Sequence, residues 1–382
     1  MSRRIIINPV TRISGFMEIE VFIENKRVVE AKTSGLLFRG FEKMLVGRNP
    51  FDAVYFTERI CGICSTAHSI ASSMALESAL KVIPSEQGRY LRDIIHGCEF
   101  LQNHIRHFYQ YTVPDFVRLP EEYPIYRTDH KDYRLSKEKN DLLVKHYFDS
   151  LDMSRKAHEM LAVLGGKAPH NHGVFIGGIT TQATADKVIK LRSILSEIKA
   201  FIENAMLSDV FILADYYPEY YHNGGGYGNL LTYGCFNGYN KLGTLYVDAA
   251  TYSKDIIEGF NQANISEETE YSWYSGAEAN EPDMEKPKAY TWIKAARYKG
   301  RPFETGPLAR QWLSGEYRHG ISTMDRTIAR VMEARKITEI LGILLANLEM
   351  NLVLQKSYSF NGPSQGSGLV DTTRGSLGHW IR

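Results

Sequence analysis

The sequence is poor in cysteine, in long apolar runs and in net charge. Four cysteines among 382 residues are too few for a disulfide framework, so their use is chemical rather than structural. The apolar stretch near 340–354 contains Glu349 and is typical of a buried helix, not of a membrane span. A formal net charge of +1 shows no basic excess that would favour a nucleic-acid partner. The sequence is therefore that of a large folded protein in which the few thiols are available for chemistry.

Helical periodicity dominates the chain and predicts a mainly α fold with a small β portion. Apolar alternation over the first 35 residues indicates a small N-terminal sheet, and a helical body is expected over 36–382. We interpret the whole as one large domain in which a bundle of long helices forms the core. Two polar stretches near 114–139 and 263–287 are expected to be irregular surface excursions. The long helices are predicted at 65–82, 89–111, 141–164, 185–213 and 324–354.

The segment with the clearest chemistry reads Arg59-Ile-Cys61-Gly-Ile-Cys64-Ser-Thr-Ala-His68. The two cysteines stand where a long helix is predicted to begin, and a helix N-terminus together with Arg59 would favour the thiolate form. Thiolates select soft or borderline metals such as nickel, iron and zinc. Taken alone, this spacing favours half of a structural zinc site over nickel or iron. A thioredoxin-like redox pair is the other alternative, but the surroundings do not resemble the strand-to-helix unit of that motif.

The flanking residues resemble the signatures of nickel–iron hydrogenase large subunits. Arg-x-Cys-Gly-x-Cys-x-x-x-His is similar to the first cysteine motif of that family, and further segments follow in family order along nearly the whole chain. These are Asn8-Pro-Val-Thr-Arg-Ile13, Gly35-Leu-Leu-Phe-Arg-Gly-Phe-Glu42, Asn103-His-Ile-Arg-His-Phe-Tyr109, Gly165-Gly-Lys-Ala-Pro-His170 and Thr373-Arg-Gly-Ser-Leu-Gly-His-Trp380. The resemblance implies the family's fold of long central helices with peripheral β structure.

The same resemblance implies a bimetallic site and a role for each matched residue. Cys64 would bridge nickel and an iron that carries carbon monoxide and cyanide, and Cys61 would be a terminal nickel ligand. Arg374 would lie over the open metal position, where a permanently charged guanidinium polarises rather than accepts a proton. His68 would hydrogen-bond a bridging sulfur, and Glu42 would help to hold a magnesium ion. The implied reaction is heterolytic cleavage of dihydrogen.

The sequence departs from the family pattern at several positions. The family's second cysteine motif is not in this sequence, and neither Cys98 nor Cys235 has the surroundings to replace it, so we expect two thiolates from an absent tail or a separate polypeptide. Ser14 stands where many members have a proton-accepting glutamate, which predicts a rerouted or water-assisted proton path. Asn103 and Thr373 replace an aspartate and a proline near the arginine and change the polarity there.

The leading hypothesis is a hydrogenase catalytic subunit, and the alternative is a cofactor-free, hydrogenase-like scaffold or interaction subunit. Four cysteines cannot also hold an iron–sulfur cluster in this chain, so the catalytic reading requires an iron–sulfur small subunit as partner. No nucleic-acid partner and no membrane span of its own are expected. The compartment stays open, either cytoplasmic or exported and membrane-associated through a partner.

Overall fold

A computed structural model describes residues 3–122, 130–276, 280–353, 358–359 and 362–382. The α-helices are α1 (Phe41–Leu45), α2 (Asp52–Thr57), α3 (Ser65–Leu80), α4 (Glu86–Arg106), α5 (Lys137–Gly165), α6 (Ala185–Phe201), α7 (Leu207–Tyr216), α8 (Pro307–Ser314) and α9 (Thr323–Ala346). Single 3-10 turns occur at Glu58–Ile60, Val113–Asp115, Pro218–Tyr221 and Gln262–Asn264. Two π-helical turns, His107–Thr112 and Ile202–Met206, continue α4 and connect α6 to α7.

The strands are short and form several small antiparallel sheets. They are β1 (Arg3–Ile7), β2 (Met17–Glu24), β3 (Arg27–Gly35), β4 (Val174–Phe175), β5 (Gly178–Ile179), β6 (Leu230–Thr232), β7 (Ala250–Ser253), β8 (Ile256–Gly259), β9 (Ile265–Glu268), β10 (Tyr274–Ser275), β11 (Glu281–Pro282), β12 (Ala295–Tyr298), β13 (Gly366–Asp371) and β14 (Ser376–Ile381). The sheets pair in the orders β1-β2-β3, β4-β5, β6-β7-β8, β9-β12, β10-β11 and β13-β14.

The chain groups into two compact units. The smaller unit, Met1–Arg48 with Asn261–Phe303, holds the N-terminal sheet, in which Arg3 pairs with Ile23 and Met17 with Gly35. The predicted excursion near 263–287 contributes strands β9 to β11 to this unit, while its residues 277–279 and residues 123–129 of the other excursion lie outside the described ranges. The larger unit, Asn49–Phe260 with Glu304–Arg382, contains the long helices.

The core of the larger unit is built from α3, α4, α5, α6 and α9. Most of its apolar side chains form one large cluster, with α4 packed on both α5 and α9, and a smaller cluster contains Val54, Leu76 and Ile176. Serine caps begin three of the helices, because Ser85, Ser136 and Ser322 each accept a backbone N–H from the first turn. None of the described helices combines the length and the apolar character that a bilayer-spanning segment requires.

The β13–β14 hairpin lies directly on α3, and glycine makes this close approach possible. A Cβ atom added to Gly368 would lie 2.0 Å from the carbonyl oxygen of Ala71, and one added to Gly366 would lie 2.2 Å from that of Ala75. No other residue type fits at such distances. The hairpin turn is thereby held beside the first turn of α3, where the cysteine motif lies.

Candidate metal centre

The cysteine motif forms the turn that leads into α3, as predicted. Cys61 follows the 3-10 turn Glu58–Ile60 in an extended conformation, and Cys64 is the residue that caps the N-terminus of α3. Cys64 is buried and Cys61 is half-buried, and both are free thiols. α3 is buried on nearly all sides, which is why its sequence shows little amphipathic periodicity.

The two cysteines have opposite pKa shifts. The Cys64 thiol donates a hydrogen bond to Cys61, and this bond lowers the pKa of Cys61 to about 5, with the charge of Arg374 acting in the same direction and burial opposing both. The same hydrogen bond and burial raise the pKa of Cys64. The predicted thiolate is therefore present at Cys61. Arg374 is a cation beside Cys61 that the helix-terminus argument did not include, and the guanidinium of Arg59 lies 3.5 Å from the carboxylate of Glu58.

Arg374 is placed over the motif by the turn between β13 and β14. The Thr372 N–H donates to the Gly375 carbonyl at 2.7 Å, and the Thr372 hydroxyl accepts the N–H groups of Arg374 and Gly375. From this turn the guanidinium reaches Cys61, with Nη2 at 3.5 Å from Sγ, and Asn103, with Nη1 at 3.2 Å from Oδ1. The fork geometry of arginine allows both contacts at once.

Asn103 connects this arginine to the cysteine turn. Its Nδ2 donates to the carbonyl oxygen of Ile63, between the two cysteines, and to the carbonyl oxygen of Glu99, both at 2.9 Å. Because the amide nitrogen is committed to these two acceptors, the amide oxygen faces Arg374. The sequence placed Asn103 near the arginine through family resemblance alone, and the structure brings the two side chains into contact.

His68 makes a contact that the sequence did not indicate. Its Nδ1 lies 3.1 Å from Nε2 of His379 on β14, and Nδ1 of His379 lies 2.8 Å from the Ser72 hydroxyl. Burial lowers the pKa of His68 to about 3 and that of His379 to about 4, so both rings are neutral near pH 7. A hydrogen bond from His68 to a bridging sulfur stays a prediction, and Nε2 is the ring atom that would make it.

Sequence reasoning missed the buried carboxylates behind the motif. Glu99 accepts the N–H groups of Thr66 at 2.7 Å and Ala67 at 3.2 Å, and so caps the first turn of α3 from another helix. Burial raises the pKa of Glu99 to about 7 and that of Glu58 to about 8. The available signal was a glutamate inside the apolar stretch 94–101 of α4, where a charged residue is unusual unless it is paired.

The other predicted site residues are distributed over both units. In the smaller unit, the Glu42 carboxylate lies 3.2 Å from the ammonium of Lys294, and Ser14 is exposed in the bends before β2. In the larger unit, Thr373 is fully buried, and within the described ranges its hydroxyl has no hydrogen-bond partner. The roles of these three residues stay predictions.

The side chains at this site that could bind a metal are the two thiols of Cys61 and Cys64. Across the described part of the chain, no group of three or more His, Cys, Asp and Glu side chains could hold a metal ion, so these residues provide no complete four-ligand zinc site. Cys61 and Cys64 instead offer two adjacent sulfurs below a guanidinium. Soft sulfur donors suit nickel and iron, and such a pair supplies half of a four-thiolate set.

The fold is mainly helical, with two cysteine sulfurs side by side at the start of α3, and comparison with known proteins identifies its family. A family model described as nickel-dependent hydrogenase matches residues 39–125 and 122–320. The chain belongs to this family, so the resemblance seen in the sequence is confirmed.

Individual relatives agree with this assignment. The periplasmic NiFeSe hydrogenase large subunit of Desulfomicrobium baculatum is 36% identical over 81% of this chain, and the chain spans 64% of the length of that relative. The hydrogenase-2 large chain of Escherichia coli K12 is 26% identical over 100% of this chain and 86% of its own.

Solved structures show the same fold. The H2-activated NiFeSe hydrogenase of Dm. baculatum superposes with a TM-score of 0.94 at 30% identity, covering 100% of this chain and 86% of that one. The reduced NiFeSe hydrogenase of D. vulgaris Hildenborough gives 0.91 at 32% identity, with the same coverage. The predicted fold, mainly helical with small sheets, is therefore confirmed.

Proposed function

We propose that this chain is the catalytic large subunit of a nickel–iron hydrogenase, in which dihydrogen is cleaved heterolytically or formed. The observation that carries the proposal is the position of Arg374, whose guanidinium reaches both the Cys61 sulfur and Asn103. In a chain of this family, a fixed guanidinium charge beside a low-pKa thiolate can polarise a substrate that binds between them.

Cys61 and Cys64 are the residues that would hold the metals. We propose Cys64 as the bridging ligand and Cys61 as a terminal nickel ligand, with carbon monoxide and cyanide on the iron. Two further thiolates would come from a polypeptide segment outside this sequence. When bound, the nickel–iron centre supplies the redox chemistry that converts dihydrogen into two protons and two electrons.

The surrounding residues position and polarise rather than bind metal. Arg374 keeps its positive charge, because burial alone would lower its pKa while the cysteines and Glu99 raise it overall. It therefore serves as a fixed electrostatic partner and not as the base. Asn103 links the guanidinium to the cysteine turn by hydrogen bonds to Arg374 and to the Ile63 carbonyl. Neutral His68 would donate a hydrogen bond to a bridging sulfur through Nε2.

The partner that we propose is an iron–sulfur small subunit. Electrons must leave the site, and the cysteines outside the motif, Cys98 and Cys235, are single and buried, so they do not form a cluster site. We infer that the location of the complex is set by its partner, since one relative is named periplasmic and another quinone-reactive. We further propose Glu42 as a magnesium ligand, for which the ammonium of Lys294 would have to move away.

Infrared spectroscopy of the complex purified from its native source tests the proposal. We expect bands of metal-bound carbon monoxide and cyanide, together with nickel and with iron in excess of nickel, because the clusters of the small subunit also contain iron. Cys61→Ser is expected to abolish the bands, whereas Cys98→Ser, which changes a thiol in the core, should keep them in any folded preparation. An intact, metal-replete complex without these bands would instead identify a scaffold that retains the site residues but not the cofactor.

A further inference from the structure

The backbone next to Arg374 is held by a second arginine, Arg330, which is half-buried. Arg330 on α9 uses the two hydrogens of one nitrogen, Nη1, to reach the carbonyl oxygen of Thr373 at 3.1 Å and Nδ1 of His104 at 3.2 Å. Thr373 itself is fully buried and directly precedes Arg374. The position of the peptide from which Arg374 extends is therefore coupled to α9 through one guanidinium.

The two groups that accept hydrogen bonds from Arg330, a backbone carbonyl and a histidine ring nitrogen, are both neutral. Arginine can only donate, so Nδ1 of His104 must accept, and the ring proton must be on Nε2, which donates to Glu333 at 2.7 Å. Burial lowers the pKa of His104 to about 4, in keeping with a neutral ring. Within the described ranges, no carboxylate lies at ion-pair distance from Arg330, although burial lowers its pKa only to about 10 and leaves it charged.

Glu333 is the centre of the network that fixes this arrangement. Its two oxygens accept Nε and Nη2 of Arg310 at 2.6 and 2.8 Å, and Oε1 also accepts the Tyr246 hydroxyl at 2.7 Å. Burial alone would raise the pKa of Glu333, but the charge of Arg310 holds it well below its usual range. The bidentate pair therefore gives His104 a fixed acceptor and a fixed orientation.

The residue that precedes the turn is tied to the same network. Asp371, the last residue of β13, accepts hydrogen bonds from the hydroxyls of Thr232 and Ser376, and its carboxylate lies 3.7 Å from Nη1 of Arg310. This separation is too long for a hydrogen bond but short enough for electrostatic attraction. Asp371 before the turn and Thr373 within it are thus restrained by Arg310 and by Arg330 with His104, and Arg310 and His104 both bind Glu333.

We propose that Arg330 is a positioning residue for Arg374, acting through the Thr373 carbonyl and oriented by His104 and Glu333. Taking a charge partly out of water costs free energy, and two neutral acceptors return only part of that cost. A site selected for stability alone would be satisfied by a smaller neutral donor. The guanidinium instead gives a rigid two-acceptor clamp, and catalysis can lose about 100-fold from a displacement of about 1 Å.

The test compares three variants of the full complex. Arg330→Met removes the donors and keeps much of the volume, and Arg330→Lys restores an ammonium that can serve both acceptors. Arg326→Met is the matched control, since Arg326 lies one turn earlier on α9 and pairs with Glu304. Both Arg326 and Arg330 border a cavity of about 350 Å³. Crystal structures would give the separation of the Arg374 guanidinium from Asn103 Oδ1, and hydrogen oxidation would give kcat and KM.

We expect Arg330→Met to move the Arg374 guanidinium by about 1 Å and to lower kcat by about 10- to 100-fold, with KM within about twofold. Arg330→Lys should recover most of kcat, and Arg326→Met should change neither quantity. An unmoved Arg374 in Arg330→Met, or an equal loss in Arg326→Met, overturns the proposal. If Arg330→Met does not fold, His104→Phe carries the test, because it removes the nitrogens that orient Arg330 and should shift Arg374 in the same direction.

The activity measurement rests on the proposed function, whereas the crystallographic measurement does not. If the native complex neither consumes nor forms dihydrogen, the proposed function fails, and the Arg374 position in the variants still decides the positioning role. If the native complex is active and Arg374 stays in place in Arg330→Met, only the positioning role fails.

Discussion

Replacing Arg374 by methionine should raise the pKa of the Cys61 thiol in the metal-free chain. The guanidinium lies 3.5 Å from Sγ, and the pKa of Cys61 is about 5 against an ordinary 9.0. At this separation two unit charges attract by about 1 kcal/mol in bulk water and by about 5 kcal/mol at an effective dielectric constant of about 20. Because Arg374 is exposed in the isolated chain, screening favours the lower part of this range.

An attraction of about 1–2 kcal/mol corresponds to roughly one pKa unit. The sign follows from the charge, since loss of a nearby cation destabilises the thiolate and raises the pKa. The hydrogen bond from Cys64, which is the larger cause of the shift, stays in the variant. We therefore expect the pKa of Cys61 to rise from about 5 to about 6, and not to return to its ordinary value.

The rate of alkylation by iodoacetamide between pH 4 and pH 9 measures this pKa, with peptide mass spectrometry reporting Cys61 alone. Buried Cys98 and Cys235 should react slowly throughout and serve as internal references. Arg59→Met is the matched control, because Arg59 is nearer to Cys61 in sequence, and its guanidinium lies 3.5 Å from the carboxylate of Glu58. The same midpoint in Arg374→Met and the wild type, or a larger shift in Arg59→Met, would refute the electrostatic role of Arg374.

Three further predictions concern packing and proton transfer. Arg92→Leu should lower the free energy of unfolding in urea by about 3–5 kcal/mol, because it leaves the buried Glu77 carboxylate without its bidentate partner; adding Glu77→Leu should recover much of this loss, and no recovery would contradict the reasoning. Gly368→Ala should prevent the close packing of β13 on α3 and cost about 3 kcal/mol or more, while Gly342→Ala, in open space on α9, should be neutral or stabilising; similar effects in both would show that contact distance is not the cause. If the Ser14 hydroxyl relays protons, Ser14→Ala should slow the exchange between deuterium gas and solvent protons that the complex catalyses. An unchanged rate would exclude that relay.

The sequence predicted the long helices well because their apolar cores are long and regular. The helix predicted at 65–82 is α3, ending at Leu80, and the one predicted at 324–354 is α9, ending at Ala346. The π-helical turns were missed, since one extra residue per turn leaves the apolar pattern nearly unchanged. The short strands of the larger unit were also missed, because strands of two to six residues carry too little periodicity to be recognised.

What the sequence determined by itself is the motif and the family. Cys61-Gly-Ile-Cys64 at the start of a long helix, with Arg374 in a matching block far along the chain, was enough to predict thiolate ligands and a nearby arginine. Such local patterns survive in the sequence because each is set by residues close to one another in the chain.

Only the tertiary structure decided which groups meet at the site. The guanidinium of Arg374 contacts the Cys61 sulfur, and Glu99 and Arg330 enter the site region from α4 and α9. These contacts join residues that are between 33 and 313 positions apart, and they depend on glycine-permitted packing and on buried hydrogen bonds. No local pattern encodes such pairings, because the free energy that selects them comes from burial of the whole core.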